Sequence, residues 1–267
     1  MQELRLGFIG TGNMGGALVR AAAKGDAAKL YLADHFPAKA QALAQEVGGT
    51  AADNQSIAAG CRYIFLGVKP NMMADMLSGI ADTLRARADR FVLVSMAAGV
   101  SIADIQGMAG AAYPVIRIMP NLAASVGEGM VLYACSDHVT QDETELFMET
   151  LARAGRFDEL PETLIDAASA ISGCGPAFVC LFIEALADGG VRCGLPRDKA
   201  MLYAMQTLKG TAQMLLESGE HPGALKDAVC SPGGTTIEGV QALESGTFRG
   251  VVMSAVGAAY EKTKHLK

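Results

Sequence analysis

A glycine-rich turn between an apolar strand and a helix constrains the fold of this chain more than any other feature. Residues 4–9 form a short apolar run, and the sequence Gly10-Thr11-Gly12-Asn13-Met14-Gly15 follows it directly. In this setting Gly10 allows a tight turn, Gly12 lets a ligand approach bare main chain, and Gly15 lets the next helix pack close to the strand. The helix N-terminus attracts phosphates through its unpaired N–H groups. The motif predicts a dinucleotide-binding turn; the alternative is a glycine-rich turn in another kind of α/β protein.

Strand-like and helical segments alternate over the first 160 residues. Proline at the first position marks the helix 37–47, and Ser101 with Asp104 has the spacing of a capping box at the start of another helix. The further predicted strands are 29–33, 63–68, 91–95, 115–119, 130–134 and 155–159. Such alternation is typical of a mainly parallel sheet with right-handed crossovers. We therefore predict an α/β fold in which residues 1–160 form a Rossmann-like dinucleotide-binding domain.

The second part of the chain, residues 161–267, has a different pattern. Apolar residues recur at helical spacing, and glycine and proline separate the segments at 173–176, 194–196 and 219–222. No strand is predicted here. We expect an all-helical dimerisation and substrate domain, because so apolar a set of helices completes its core against another subunit.

Composition argues against several classes of protein. The net charge is −6 and the basic residues are not clustered, so neither nucleic acid nor an anionic membrane is an expected partner. The six cysteines form no Cys-x-x-Cys pair, which predicts neither a disulfide framework nor a metal site. The most apolar stretch, 177–187, is too short to span a bilayer, and Met1 leads straight into the first strand without room for a signal peptide. These features predict a cytoplasmic protein.

Asp34 ends the second predicted strand, 24 residues after Gly10. In nucleotide-binding folds a carboxylate at this position accepts hydrogen bonds from the adenosine ribose. An acidic side chain there repels the additional phosphate of NADPH, and only His35 and Lys39 lie near enough to offset it. Asp34 by itself therefore favours NADH, unless it is a solvated aspartate of the turn.

Other small or polar residues follow the ends of neighbouring strands, the edge at which open parallel sheets bind ligands. Lys69, in the sequence Gly67-Val68-Lys69-Pro70, can meet a phosphate or the nicotinamide ribose. Ala97 and Asn121 also follow strands and leave room for a flat ring. Each signal is weak alone, and a strand-ending proline beside a surface lysine is the structural alternative. These residues together support a cofactor site because all of them follow strands at the same edge of the sheet.

A second glycine-rich segment, Ser231-Pro232-Gly233-Gly234-Thr235-Thr236, lies in the helical part. The spacing of Thr235 and Glu238 predicts a capping box and a helix that begins at Thr235. The preceding glycines can turn main-chain N–H groups toward an anion, which suits a small carboxylate. If Thr235 caps the helix, the hydroxyl of Thr236 is free to face a ligand. The alternative is a helix cap after a tight loop.

Groups for acid–base catalysis are scarce. The chain has four histidines, and none lies in an apolar context beside a partner acid. Reduction of a carbonyl normally needs a protein acid to protonate the oxygen, whereas an imine nitrogen can arrive already protonated. The sequence therefore favours a C=N over a C=O substrate, although a lysine or tyrosine could serve as the acid.

The motifs together resemble the pyrroline-5-carboxylate reductase family over nearly the whole chain. The residues that carry the resemblance are Gly10–Gly15, Val68-Lys69-Pro70, Met119-Pro120-Asn121, Ser172-Gly173-Cys174-Gly175-Pro176-Ala177-Phe178, Ala187-Asp188-Gly189-Gly190, Leu225-Lys226-Asp227 and Ser231–Thr236. The resemblance implies a Rossmann domain and a helical domain that interlocks into a dimer, often within a ring of dimers. It also implies hydride transfer from NADPH, or in some members NADH, to 1-pyrroline-5-carboxylate, which gives L-proline.

The resemblance also implies roles for single residues. Ser231, Gly233, Gly234, Thr235 and Thr236 would form the substrate site, with the Thr236 hydroxyl at the ring nitrogen. Asn54 would contact the adenosine ribose, and Val68-Lys69-Pro70 with Ala97 would line the nicotinamide end. Two residues depart from the family pattern. Cys174 replaces the usual serine, which puts a hydroxyl role there in doubt, and Asp34 with His35 is not a typical phosphate-binding pair.

Two alternative functions are a β-hydroxyacid dehydrogenase and a non-catalytic nicotinamide-binding sensor. A β-hydroxyacid dehydrogenase shares the first domain and a helical partner, but it needs a lysine on a helix facing the nicotinamide. Lys199, Lys209 and Lys226 do not follow the glycine break at 172–175 within two helical turns. A non-catalytic nicotinamide-binding sensor would not need a second anion pocket, so the glycine-rich blocks of the helical part argue against it.

Overall fold

The computed structural model describes residues 3–25 and 28–265; the expectation drawn from Met1 lies outside the described residues. The strands are β1 (Arg5–Ile9), β2 (Lys29–Ala33), β3 (Thr50–Ala51), β4 (Tyr63–Leu66), β5 (Val92–Ser95), β6 (Val115–Met119), β7 (Gly129–Cys135) and β8 (Gly155–Glu159). The helices are α1 (Asn13–Ala23), α2 (Pro37–Val47), α3 (Asn54–Gly60), α4 (Met73–Arg85), α5 (Ile102–Ala109), α6 (Gln141–Thr150), α7 (Glu162–Ser172), α8 (Gly175–Arg192), α9 (Arg197–Ser218), α10 (Pro222–Ala228), α11 (Thr235–Ser245) and α12 (Phe248–Thr263).

The eight strands found in residues 3–25 and 28–265 form one sheet in the order β3-β2-β1-β4-β5-β6-β7-β8. Every neighbouring pair is parallel except β6 and β7, and in the centre Leu6 lies opposite both Leu30 and Tyr63. The chain moves outward from β1 in one direction to β3 and in the other from β4 onward. The switch of direction between β1 and β4 creates a crevice at the carboxyl ends of these strands, where doubly wound sheets bind ligands.

The predicted strands are present, with ends that differ by at most two residues. The largest difference is at the predicted strand 63–68, which ends at Leu66. The chain leaves the sheet at Gly67 because the main chain there packs directly against Gly10. The capping box of Ser101 and Asp104 at the start of α5 is confirmed, with both reciprocal hydrogen bonds formed. Strand β3 was not predicted, because two residues are too few to show a strand pattern in the sequence.

The core lies on both faces of the sheet, which explains the continuous apolar character of the central strands. One cluster joins the strands to α1, α2 and α6, and its aromatic centre is the stacked pair Phe8 and Phe65. The second cluster joins the opposite face to α3, α4, α5 and α7, with Ile165 of α7 fully buried in it. The predicted Rossmann-like architecture follows from this two-sided burial.

The chain divides into two compact units, which we call the sheet unit and the helical unit. Of the described residues, those up to 173 and those from 259 onward form the sheet unit, and residues 174–258 form the helical unit. Helix α7 lies with the sheet because it packs on β6 and β7. The division by contacts thus falls at Gly173, thirteen residues beyond the predicted domain boundary at 160.

The helical unit has little core of its own. Its fully buried apolar side chains are three alanines, Ala187, Ala200 and Ala204, in the α8–α9 pair. By length and composition alone, the helical segment 162–192 could cross a membrane, with a mean hydropathy of 1.8 and 11% of its most apolar window buried. This segment is longer than the apolar stretch 177–187 named from the sequence. It is not one continuous helix, because a turn at residues 173 and 174 separates α7 from α8.

Candidate active site

The glycine turn after β1 has the geometry that the sequence predicted. Gly10 has a φ of +101°, and a Cβ at Gly15 would lie 2.1 Å from the Gly10 carbonyl oxygen. A Cβ at Gly12, in contrast, would meet nothing within 4 Å. The N-cap residue of α1 is Gly12, and no side chain of the described residues caps this helix. The first N–H groups of α1 therefore lie beside an open main-chain surface, an arrangement that suits a pyrophosphate.

Asp34 is tied to this turn. Its Oδ2 accepts hydrogen bonds from the Thr11 N–H at 2.8 Å and the Thr11 hydroxyl at 2.9 Å, and its Oδ1 accepts one from the Phe36 N–H at 3.0 Å. Partial burial alone would raise the pKa of the Asp34 carboxyl, but these donors and the charge of Lys39 outweigh it and lower the pKa. The carboxylate is therefore charged at neutral pH and has a structural task in addition to the predicted contact with ribose.

Asp34 and Asn54 line one cleft of about 1030 Å³ that follows β2 and β3. Asn54 is the first residue of α3, and the preceding Asp53 caps that helix by accepting a hydrogen bond from the Ser56 N–H at 2.7 Å. The cap fixes the orientation of the first turn of α3 and so holds Asn54 at the cleft. The two residues predicted to meet the adenosine ribose are thus brought together.

The segment after β4 lies against the glycine turn. A Cβ at Gly67 would lie 2.6 Å from the Gly10 carbonyl oxygen, so the two loops touch main chain to main chain. Val68 is half-buried, whereas Lys69 and Pro70 are exposed and lead into a short 3₁₀ turn. The side chain of Lys69 is therefore placed at the carboxyl end of β4, as the sequence predicted, and is free to meet a charged group.

Ala97 and Asn121 follow β5 and β6 on the same edge. Ala97 is buried and lies in a turn that ends at Gly99, which has a φ of +72°. The Asn121 Nδ2 donates to the Ser172 carbonyl at 2.9 Å, and its Oδ1 accepts from the Met130 N–H at 3.3 Å. The Asn121 amide is therefore engaged by main chain on both sides.

The predicted substrate segment of the helical unit begins with a tight turn. The Gly234 N–H donates to the Ser231 carbonyl at 3.0 Å, which closes a four-residue turn. Pro232 lies at its second position and Gly233, with a φ of +66°, at its third. Proline followed by a left-handed glycine is the pattern of a type II turn, so the local sequence dictates this shape.

Helix α11 begins at Thr235 as predicted, but the predicted capping box is wrong. Gly234, with φ −83° and ψ 173°, is the N-cap residue, and within the part of the chain that the structure describes no side chain caps the helix. Thr235 is already helical and therefore one position too far along the chain to form a capping box with Glu238. As a result the first N–H groups of α11 have no side-chain acceptor, which leaves them available for an anion.

Thr236 is exposed and lines an apolar groove of about 910 Å³ formed by α8, α11 and α12. The other lining residues are Phe178, Val179, Leu181, Phe182, Ala185, Leu186, Gly239, Val240, Leu243, Phe248, Val251, Val252 and Ala255. Cys174, the N-cap residue of α8, has a free thiol. The groove supplies the unburied apolar face that the sequence predicted for a dimerisation domain.

Two features of the site escaped the sequence prediction. Gly67 was not assigned a role, although a glycine that directly follows a buried strand signals a close main-chain approach. Arg117 lies in the middle of apolar β6, is 4% exposed and forms ion pairs with Glu162 and Asp166 of α7. Arg117 could have been noticed in the sequence as the one charged residue of an otherwise apolar predicted strand.

Comparison with known proteins identifies the family. Residues 162–266 match the family model described as pyrroline-5-carboxylate reductase dimerisation, and residues 5–99 match that of NADP oxidoreductase, coenzyme F420-dependent. The chain is 39% identical to pyrroline-5-carboxylate reductase of Escherichia coli, over 99% of this chain and 98% of that protein. This chain belongs to the pyrroline-5-carboxylate reductase family. Pyrroline-5-carboxylate reductase 3 of Macaca fascicularis is 38% identical over 98% of this chain and 96% of its own length.

The solved structures agree. Pyrroline carboxylate reductase of Plasmodium falciparum, crystallised with NADP bound, superimposes with a TM-score of 0.88 at 34% identity and covers 100% of this chain and 99% of that one. The predicted family, the predicted fold class and an oxidoreductase activity on a C=N bond are thereby confirmed. The family also decides against a β-hydroxyacid dehydrogenase and against a non-catalytic sensor.

Proposed function

We propose that this chain reduces 1-pyrroline-5-carboxylate to L-proline with NADPH as the hydride donor, and that NADH can also serve. The observation that carries the proposal is a pair of glycine-preceded helix N-termini without side-chain caps, α1 in the sheet unit and α11 in the helical unit. Each presents unpaired N–H groups to an anion. One suits the pyrophosphate of the cofactor and the other the carboxylate of a small cyclic acid.

The residues at the carboxyl edge of the sheet fit a nicotinamide dinucleotide, which supplies the hydride when bound. The glycine turn Gly10–Gly15 leaves open main chain for the pyrophosphate, since a Cβ at Gly12 would meet nothing. Asp34 and Asn54 face the adenosine ribose in their shared cleft. The nicotinamide end is lined by the segment 68–70, by Ala97 and by the turn at Asn121. The solved structure of the Plasmodium falciparum relative, which has NADP bound, supports NADPH as the cofactor.

The Ser231–Thr236 segment holds the substrate. Its turn and the first N–H groups of α11 bind the carboxylate, with Ser231, Gly233, Gly234 and Thr235 around it. The Thr236 hydroxyl orients the ring nitrogen. The imine carbon accepts the hydride, and the electron pair of the C=N bond moves onto a nitrogen that arrives already protonated. No protein group has to donate a proton in that step, which matches the scarcity of acids and bases.

The assembly is a homodimer, which can associate further into a ring of dimers. The exposed apolar groove of α8, α11 and α12 is the surface that a second copy covers, in line with the dimerisation family model over 162–266. On this proposal the apolar segment 162–192 packs on protein and not on lipid. The protein acts in the cytoplasm, without a nucleic-acid or membrane partner.

The decisive experiment is oxidation of NADPH and of NADH by the purified protein, with and without 1-pyrroline-5-carboxylate. Loss of the reduced-nicotinamide absorbance is expected only when the imine is present, together with one L-proline for each cofactor oxidised. Cofactor binding without turnover would refute the proposed reaction. Oxidation of either cofactor with 2-hydroxy or 2-oxo acids in place of the imine would point to a different substrate class.

A further inference from the structure

Ion pairs join the N-terminal half of helix α7 to strand β6. Arg117 of β6 is 4% exposed, and its guanidinium lies 3.3 Å from Glu162 Oε1 and 2.5 Å from Asp166 Oδ1. The same Glu162 Oε1 accepts a hydrogen bond from the Ile102 N–H at 2.7 Å, at the start of α5. One carboxylate thus joins α7 both to β6, which ends at the cofactor edge, and to α5, which follows the Ala97 turn of that edge.

Asn121 fastens the other end of the same helix. Ser172 is the last residue of α7, and its carbonyl is one of those that a helix leaves without an internal partner. The Asn121 Nδ2 donates to this carbonyl, while Oδ1 accepts from the Met130 N–H of β7. The amide thus joins the end of β6, the start of β7 and the C-terminus of α7.

We infer that the side chain of Asn121 has a positioning role in the reaction and acts through α7, not through contact of its amide with the cofactor. Each polar end of its side chain already makes one hydrogen bond to main chain, so the orientation of the amide is set within the sheet unit. The chain passes from α7 into the helical unit at Cys174, two residues after the carbonyl that Asn121 holds. That unit carries the Ser231–Thr236 turn, and Asn121 holds the last residue of α7, from which the chain continues into the substrate-binding part.

This inference rests on the proposed function, and its expected effect is selective. Displacement of a substrate-positioning element by about 1 Å can lower a rate on the order of a hundredfold. Loosening the end of α7 should therefore reduce kcat/KM for the imine about tenfold or more, while the dissociation constant of NADPH changes less than roughly twofold. A direct contact with the cofactor would weaken both in parallel.

The test uses Asn121→Ala and Asn121→Asp in the full chain. The aspartate keeps an acceptor for the Met130 N–H but replaces the donor to Ser172 with a carboxylate, so it loosens only the α7 side. Ser125→Ala is the matched control, because it removes one side-chain hydrogen bond, to the Leu122 carbonyl, from the same loop. NADPH affinity is measured by fluorescence titration without the imine, and kcat and KM are measured for each substrate.

Hydrogen exchange supplies a readout that does not depend on activity. In Asn121→Asp the N–H of Gly173, which donates to the Ser169 carbonyl, should exchange faster, while the N–H groups of α4 keep their protection. NADPH affinity that falls together with kcat/KM, unchanged kinetics, or faster exchange throughout the sheet unit would each overturn the inference. Failure of the proposed function is distinct, because the wild-type protein would then show no turnover of the imine.

Discussion

Thr11 donates both its N–H and its hydroxyl to Asp34 Oδ2, at 2.8 and 2.9 Å. This pair ties the end of β2 to the glycine turn that follows β1. Asp34 therefore has two effects on the cofactor site: its hydrogen bonds hold the turn, and its negative charge opposes an additional phosphate nearby. Substitutions at the two positions separate these effects.

Asp34→Ser should raise the ratio of kcat/KM for NADPH to that for NADH by roughly tenfold, which corresponds to about 1.4 kcal/mol. The substitution removes a carboxylate that repels the 2′-phosphate of NADPH. It also removes the hydrogen bonds that hold the glycine turn, but that loss affects the binding of both cofactors. Thr11→Val is the control, because it removes one hydrogen bond and no charge. Steady-state kinetics with both cofactors should show an unchanged ratio in that control. An unchanged ratio in Asp34→Ser would show that the acid does not face the 2′-position.

Gly12→Ala and Gly15→Ala should separate cofactor binding from folding. A Cβ at Gly12 meets nothing within 4 Å, so the alanine variant should fold with a loss of stability within about 1 kcal/mol but bind NADPH at least roughly tenfold more weakly. A Cβ at Gly15 would lie 2.1 Å from the Gly10 carbonyl oxygen, so this variant should unfold at a markedly lower temperature. Thermal unfolding and NADPH titration check both. Normal NADPH affinity in Gly12→Ala would place the pyrophosphate elsewhere.

Thr236→Ala should lower kcat for the imine on the order of ten- to a hundredfold and leave NADPH affinity nearly unchanged, because the hydroxyl that orients the ring nitrogen is lost. Thr236→Ser keeps a hydroxyl at the same position and should restore most of the activity. Stopped-flow and steady-state measurements on the three proteins provide the comparison. Equal kinetics in Thr236→Ala and the wild type would remove this side chain from the mechanism.

Leu181→Asp and Val251→Asp should dissociate the assembly. Both residues are more than 60% exposed in the single chain and line the apolar groove, so a charge there would be buried in the interface at considerable cost. Sedimentation velocity should show monomers, with loss of imine reduction. Val126→Asp, which introduces the same charge at an exposed apolar residue outside the groove, should sediment as the wild type does. Dimers in both groove variants would show that a second copy does not cover this face.

Glu143→Gln should reveal a pH-dependent contribution to stability. Burial alone would raise the pKa of this carboxyl, but hydrogen bonds from Arg90 and the Thr140 N–H and the charges of Arg90 and Arg62 lower it. Its stabilisation is therefore complete above the ordinary pKa of a glutamate and is lost as pH falls through the lowered value. Urea unfolding should show the variant less stable by about 2 kcal/mol at pH 7, with the difference decreasing as the pH falls below the ordinary pKa of a glutamate. A difference that persists in acid would indicate a packing effect.

Much of the site could be predicted because its residues act through local geometry. A glycine that must adopt a positive φ or leave room for main chain, such as Gly10 or Gly233, is constrained by its immediate neighbours. The same is true of Ser101 and its capping box. The helix at Thr235 was predicted for the wrong reason, because a shift of one residue along the chain decides between a capping side chain and an uncapped helix.

The sequence by itself determined the alternation of strands and helices, the position of the two glycine turns and the family, because each depends on periodicity or on short motifs. Only the tertiary structure decided that Gly67 touches Gly10, that Asp34 holds Thr11, and that Arg117 and Asn121 fasten the two ends of α7 to the sheet. These contacts join residues far apart in the chain, and the sheet order that brings them together is set by burial on both faces of the strands. No local pattern encodes that order.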